Sequence, residues 1–280
     1  MIKVLTSGLL TSIQDRGRFG YRSLGVPVSG AMDLISSAYA NRLLGNPIDA
    51  GVLEFAMLGP SLEFMEKTHI VVCGASFQPS IDGKEFALGK IQIVKKGSIL
   101  KLGSPRTHMY GYLAVTGGFD QKEVMGSMSM YAGITTPSSV AKGDRLQLKK
   151  NISILGIEGE VEGFHLASSP TIEVYPGPEW RHLSREMQKT VVDSEFQIHH
   201  NSNRMACLLD HELSIEAAEI ITSGVQPGTV QLTPSGKAIV LMRDAQTTGG
   251  YARILQLSDR AINHLAQKRP GEPIEFKLIL

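Results

Sequence analysis

Residues 238–257 read AIVLMRDAQTTGGYARILQL. Residues 238–242 are a continuous apolar run and residues 251–257 a second run rich in apolar side chains, the pattern of buried strands. Two such strands around a short glycine-containing connection predict a β-hairpin. The connection holds more than a turn needs. Arg243, Asp244, Ala245, Gln246, Thr247, Thr248, Gly249 and Gly250 stand between the runs, with Tyr251 and Arg253 just beyond. The two glycines tolerate positive φ and can bring backbone N–H groups close to an anion. From spacing alone, the same residues describe equally well a hairpin tip in which Asp and Thr bind the loop's own amides.

Around this stretch the second half of the chain alternates strands with two helices. Residues 171–175 open it as a strand. Pro178 starts a helix running to about Lys189, with Leu183 and Met187 turned inward. Residues 196–199 form a strand, followed by the polar run Asn201, Ser202, Asn203, Arg204, Met205, suited to capping or binding. Residues 229–232 are a strand. Ser258 caps a helix over residues 259–268 that Pro270 ends, and residues 274–279 close the sheet.

The first half begins with strands at 2–5 and 9–13. Residues 14–30 then mix charges of both signs with frequent glycine, which marks a shaped loop. One reading is purely structural, with Asp15 paired to Arg18 or Arg22. The other is functional, because a long ordered loop needs a reason to stay ordered. A helix is expected over residues 31–44, capped by Ser29 or Gly30, with Met32, Ile35, Tyr39 and Leu43 facing the core. Ser29, Gly30 and Ala31 would then offer N–H groups to an anion. From residue 51 to 148 short strand-like runs recur between turns, which argues for a barrel or sandwich. Glu54, inside the apolar run 52–55, either points outward at strand period two or is a partnered buried acid, and the outward reading is preferred.

Composition bounds the function. The 280 residues carry 28 Lys and Arg against 27 Asp and Glu, a net charge of +1, with 42% hydrophobic and 20% charged residues. That describes a globular protein long enough for two domains, expected at residues 1–163 and 164–280 across a connection near 157–169. No basic stripe with interleaved aromatics points to nucleic acid, and no apolar run reaches the ~20 residues of a membrane span. The first residues lack the features of a secretory leader, and Cys73 and Cys207 sit among apolar neighbours. A cytoplasmic protein with reduced, buried thiols is expected. No phosphate loop, dinucleotide fingerprint, nucleophile elbow or metal-ligand spacing occurs. His199 and His200, adjacent on an expected strand, should point to opposite faces, so no metal site is expected.

A resemblance covers nearly the whole chain. It rests on residues 11–20 (TSIQDRGRFG), 25–33 (GVPVSGAMD), 40–46 (ANRLLGN), 112–119 (YLAVTGGF), 202–205 (SNRM), 226–231 (QPGTVQ) and 244–251 (DAQTTGGY). In these the chain resembles the family of 5-oxoprolinase C subunits, also described as allophanate hydrolase subunit 2-like or KipA-like and related to the carboxyltransferase region of urea carboxylase. Where the family carries Ser-Arg-Ser-Thr, this chain has Ser127-Met128-Ser129-Met130. After 202–205, Ala206 and Leu208 replace the family's Gly and Arg.

The resemblance implies a mainly β chain of two cyclophilin-like barrels with a few short helices. It implies work beside an A-type (LamB/YcsF-like) subunit and a KipI-like B subunit, opening the cyclic amide 5-oxoproline to glutamate with ATP, which is assigned to no one subunit. The alternatives are a non-catalytic regulator that binds a KipI-like kinase inhibitor, and a carboxyltransferase-type module of a urea carboxylase or allophanate hydrolase system. A groove is expected to join Gln14, Asp15, Arg18, Ser29, Gly30 and Asp33 to Arg204, Asp244, Gln246, Thr247, Thr248, Gly249, Gly250 and Tyr251. In it Asp15 and Asp244 are the expected catalytic acids, and Arg18 would hold a carboxylate or phosphate in a forked contact.

Overall fold

A computed structural model describes residues 1–149, 166, 168–214 and 220–279. Among the described residues the chain is mainly β with three α-helices. It divides into two compact units, Met1–Arg18 with Ser29–Leu166, and Phe19–Val28 with Ala167–Leu280. The expected boundary at 163/164 lies outside the described residues, as does most of the expected connection. Segment Phe19–Val28, placed in the first domain by its position in the chain, belongs by its contacts to the second unit.

Unit 1 is built from β1 (Ile2–Thr6), β2 (Leu10–Gln14), β3 (Val52–Ala56), β4 (Ser61–Phe64), β5 (Thr68–Gly74), β6 (Ser80–Ile81), β7 (Lys84–Glu85), β8 (Gln92–Val94), β9 (Ile99–Lys101), β10 (Tyr110–Val115) and β11 (Arg145–Leu146). They form a six-stranded sheet in the order β11-β1-β4-β9-β6-β7 and a five-stranded sheet in the order β2-β3-β10-β5-β8. Ile2, Val4, Leu53, Phe55, Leu62, Phe64, Val72 and Phe119 bury their side chains in one shared core. Gly111 is needed there, because a Cβ on it would lie 2.4 Å from the Phe55 ring.

Helix α1 (Leu34–Leu43) packs on β5 and β10. It starts three residues later than expected. Asp33 is its cap, accepting from the N–H groups of Ile35 and Ser36 at 3.0 and 3.1 Å. The buried face is Ser36, Ser37, Ala40 and Asn41, while Ile35 is 42% exposed and Tyr39 and Leu43 only half-buried. Of the expected core positions only Met32, ahead of the helix, is buried. Small side chains let the helix backbone approach the sheet closely, and that outweighs the apolar stripe. Glu54 also departs from expectation. It is buried, because β3 lies between β2 and β10 and is covered on both faces.

Unit 2 contains β12 (Thr171–Pro176), β13 (Glu195–Gln197), β14 (Ala206–Glu212), β15 (Ser223–Gly224), β16 (Thr229–Leu232), β17 (Lys237–Leu241), β18 (Thr248–Gly249), β19 (Ala252–Leu257) and β20 (Pro273–Leu278), with helices α2 (Arg185–Asp193) and α3 (Asp259–Ala266). Seven strands run in the order β13-β20-β12-β19-β16-β17-β14, and only β12 and β20 pair in parallel. The two edges meet. An isolated bridge links Ile198 to Leu209, and His199 N–H donates to the Leu208 carbonyl at 2.9 Å. The sheet is thereby a nearly closed barrel.

Strands β17 and β19 are not a hairpin. Strand β16 lies between them and pairs with both. The connection is long enough to cross one strand, a lateral step of about 10 Å. The helix expected from Pro178 is also split. A 3-10 turn at Trp180–His182 ends at Leu183, and Ser184 caps α2 through the Met187 N–H at 3.2 Å. Strand β13 stops at Gln197, so His199 and His200 do not alternate across a sheet; their rings lie 4.1 Å apart. Ser258 caps α3 as expected.

Candidate functional site

The first polar cluster forms where β2 ends. Asp15 is half-buried, and its carboxylate accepts from Ser127 Oγ at 2.7 Å, Ser129 Oγ at 2.6 Å, Gly17 N–H at 2.8 Å and Met128 N–H at 2.6 Å. Gln14, fully buried, donates to Ser12 Oγ at 2.8 Å and to the Met130 carbonyl at 3.1 Å. Arg18, fully buried as well, donates to the carbonyls of Val124 at 2.9 Å and Ser129 at 2.8 Å. These three residues therefore fasten the loop 124–130 to the end of β2. Hydroxyls and amides fill the Asp15 carboxylate, and within unit 2 Arg22 donates to the Val225 carbonyl. Met128 and Met130 are buried apolar side chains, and the two serines that hold Asp15 alternate with them.

The turn at Ser29 and Gly30 is built for close packing. Both have positive φ, 58° and 91°, and a Cβ on Gly30 would lie 2.9 Å from the Arg16 carbonyl. These residues do not open helix α1, as the expected anion site required. Helix α1 begins beyond them, and the following amides are committed: Ala31 N–H to the Asp15 carbonyl at 2.9 Å, Met32 N–H to Glu54 Oε2 at 2.7 Å, Asp33 N–H to the Tyr112 hydroxyl at 2.8 Å. Burial, followed by the charges of Glu54 and Asp33, pushes the Tyr112 phenol well above its ordinary range. Asp33, also fully buried, is occupied by its cap and by Ser36 Oγ.

The second cluster lies in unit 2, after β17. Asp244 is 5% exposed and takes a forked contact from Arg204, with Nε to Oδ2 at 2.7 Å and Nη2 to Oδ1 at 3.2 Å. Its N–H donates to the Arg204 carbonyl at 2.9 Å, so side chain and backbone hold the same two residues together. Arg243 turns the other way, to Asn263 at 3.0 Å and Asp259 at 3.3 Å. Beyond them Gln246, Thr248 and Tyr251 are exposed and Thr247, Gly249 and Gly250 half-exposed. Strand β18, which carries Thr248 and Gly249, pairs with β15.

An open cleft of about 670 Å³ lies within unit 2, beside β12, β16 and β19. Arg22, Tyr175, Pro176, Pro178, Gly224, Gln226, Thr229, Arg253 and Gln256 are among the residues lining it. Arg253 is paired with Glu179 through two contacts of 2.8 Å, and it also donates to the Gly224 carbonyl at 3.0 Å. That pairing lowers the Glu179 pKa and raises that of Arg253. Thr229 Oγ1 donates to Gln256 Oε1 at 2.9 Å, and Gln256 Nε2 to the Pro227 carbonyl at 2.9 Å. Sequence reading missed this cleft, since its lining comes from stretches far apart in the chain, around Arg22, Tyr175, Gly224 and Arg253.

Cys73 and Cys207 are free and buried, and burial pushes each thiol up to about 12. Among the described residues no group of three or more His, Cys, Asp or Glu is arranged to hold a metal. Among the same residues no helix is long and apolar enough to cross a membrane.

Residues 24–278 match the carboxyltransferase domain, subdomains A and B. The chain is 34% identical to the 5-oxoprolinase C subunit of Escherichia coli, over 99% of this chain and 90% of that protein. It is likewise 34% identical to the 5-oxoprolinase C subunit of Haemophilus influenzae, over 100% and 91%. With the urea amidolyase of Saccharomyces cerevisiae the identity is 28%, over 98% of this chain but 16% of that protein. Among solved structures, the urea carboxylase of Kluyveromyces lactis superposes with a TM-score of 0.90 at 26% identity, over 98% of this chain and 27% of that one. TTHA0988 gives a TM-score of 0.89 at 28% identity; this chain spans about half of it, 55%, while 99% of this chain is covered. End-to-end identity and matching structure agree: the chain belongs to the carboxyltransferase-domain family, in the group of 5-oxoprolinase C subunits.

Proposed function

We propose that this chain is the C-type subunit of an ATP-dependent 5-oxoprolinase, opening the lactam of 5-oxoproline to glutamate together with an A-type and a KipI-like B subunit. One observation carries the reading: the identity with two proteins named as 5-oxoprolinase C subunits runs through 90% and 91% of their lengths. A carboxyltransferase-type module is the second reading, favoured by the TM-score of 0.90 with a urea carboxylase. The likeness there covers only 27% of the larger chain, whereas the match to the 5-oxoprolinase C subunits is nearly complete.

Lactam opening needs the amide oxygen activated and water delivered, with an acid–base group at the reacting centre. Asp244 is our choice for that group. Its two oxygens take the forked contact from Arg204, and the exposed Gln246 and Thr248 follow it in the chain. Asp15 is enclosed by four donors and serves the loop first.

The test is glutamate release from 5-oxoproline and ATP by the chain assembled with its A- and B-type partners. Asp244→Asn is expected to lower turnover by about 100-fold with assembly intact. Asp15→Asn and Arg18→Ala are expected to lower turnover and thermal stability together. Undiminished turnover in all three rejects the site. Turnover that requires bicarbonate and biotin would move the chain to the second reading. No turnover in the unmodified complex, with tight binding to the B subunit, would make it a regulator.

A further inference from the structure

The cleft of unit 2 carries a charge that no described carboxylate neutralises. Arg22 and Arg253 both line it, and Glu179 cancels Arg253 through their forked pair. Arg22 donates through Nη2 to the Val225 carbonyl and pairs with no carboxylate among the described residues. Among the described residues, one positive charge therefore faces the cavity. A guanidinium in that position binds a planar carboxylate through two parallel N–H donors.

We propose that this cleft is a binding site for a small monocarboxylate bearing an amide, with Arg22 holding the carboxylate. Volume, charge and lining each support it. About 670 Å³ is the size of a small-molecule site. A single uncompensated charge matches a monoanion better than a dianionic phosphate. Phosphate sites recruit a helix N-terminus or a nest of amides, and no α-helix contributes to this lining. Tyr175, Pro176, Pro178 and Leu255 supply apolar surface for a ring or short chain, and the exposed Gln226 offers an amide to pair with an amide. Partial burial lowers the Arg22 pKa, as expected of a cation that awaits a counter-charge. In naming an amide the inference rests on the 5-oxoprolinase reading; the carboxylate and the role of Arg22 do not.

The experiment is calorimetric titration of the full chain with 5-oxoproline, N-acetylglycine and inorganic phosphate at constant ionic strength. It is repeated with Arg22→Ala and Arg22→Lys, each checked for an unchanged circular-dichroism melt. The two carboxylates are expected to bind, and phosphate much more weakly. Arg22→Ala should weaken carboxylate binding at least about tenfold, the loss of one charge-assisted contact, and Arg22→Lys should recover part of it. Should either variant melt early, protection of Arg22 in the native chain from phenylglyoxal, read by peptide mass spectrometry, replaces it. Binding of N-acetylglycine but not 5-oxoproline, with the same dependence on Arg22, supports the site and counts against the 5-oxoprolinase reading. Binding that ignores Arg22, equal binding of phosphate, or no carboxylate binding with no protection of Arg22 overturns the inference. None of those last results bears on turnover by the complex.

Discussion

Glu179 and Arg253 show how a pair of charges works at the residue scale. Arg253 presents Nε and Nη2 to the two Glu179 oxygens and its backbone N–H to one of them. These bonds stabilise the carboxylate and lower its pKa. The sign follows from that direction. A depressed carboxylate contributes stability above its unfolded value, near ~4.3, and loses it as pH falls through the folded value. The gap in urea midpoint between the native chain and Glu179→Gln is therefore expected to hold from about pH 7 to pH 5 and to close below about pH 4. A gap that is the same at pH 3 and pH 7 would rule out an ionic origin. Other residues at this scale were hard to read from sequence. Glu54 reads as outward under a period-two rule, yet its partner is the Met32 amide, 22 positions away, on a strand buried on both faces. Asp15 was legible as an ordered loop acid, but its partners Ser127, Met128 and Ser129 lie more than a hundred residues distant.

At the scale of elements, strands were easier to read than their neighbours in space. Apolar runs between Gly, Asp and Pro turns locate most of the longer strands, because those residues end strands for local steric reasons. Pairing is not local. The runs at 238–242 and 251–257 are strands β17 and β19, but β16 intervenes. Helix α1 misleads differently. Its most apolar positions are not its buried ones, because the sheet accepts small side chains at 36, 37, 40 and 41. Ala40 is fully buried there and Ile35 is 42% exposed. Ala40→Leu is expected to cost about 1–3 kcal/mol by overpacking against β5 and β10. Ile35→Ser should cost less than about 1 kcal/mol, because its side chain is largely in water already. Urea unfolding of the two variants checks the order. A larger loss for Ile35→Ser would restore the apolar stripe as the packing face.

At the scale of the whole molecule, the order of residues along the chain and the grouping of residues in space part company. Phe19–Val28 lies between stretches that belong to unit 1, yet its contacts place it in unit 2. Arg22 reaches the Val225 carbonyl there, and Leu24, Gly25 and Val26 close the turn onto the carbonyls of Tyr21 and Arg22. A segment stabilised in this way should open when unit 2 opens. Ile254, fully buried on β19, is the lever. Ile254→Ala is expected to remove about 2–5 kcal/mol from the barrel that carries it. In hydrogen exchange read by mass spectrometry, peptides covering β12, β19, β20 and residues 19–28 should then speed up together, as one cooperative unit. Peptides covering α1, β3 and β10 should keep their native rates. If residues 19–28 instead keep their rate with α1, or exchange freely in both proteins, their place in unit 2 is wrong. The proposed role of Arg22 depends on that placement, because a carboxylate site needs its cation held by the same unit that supplies the rest of the lining.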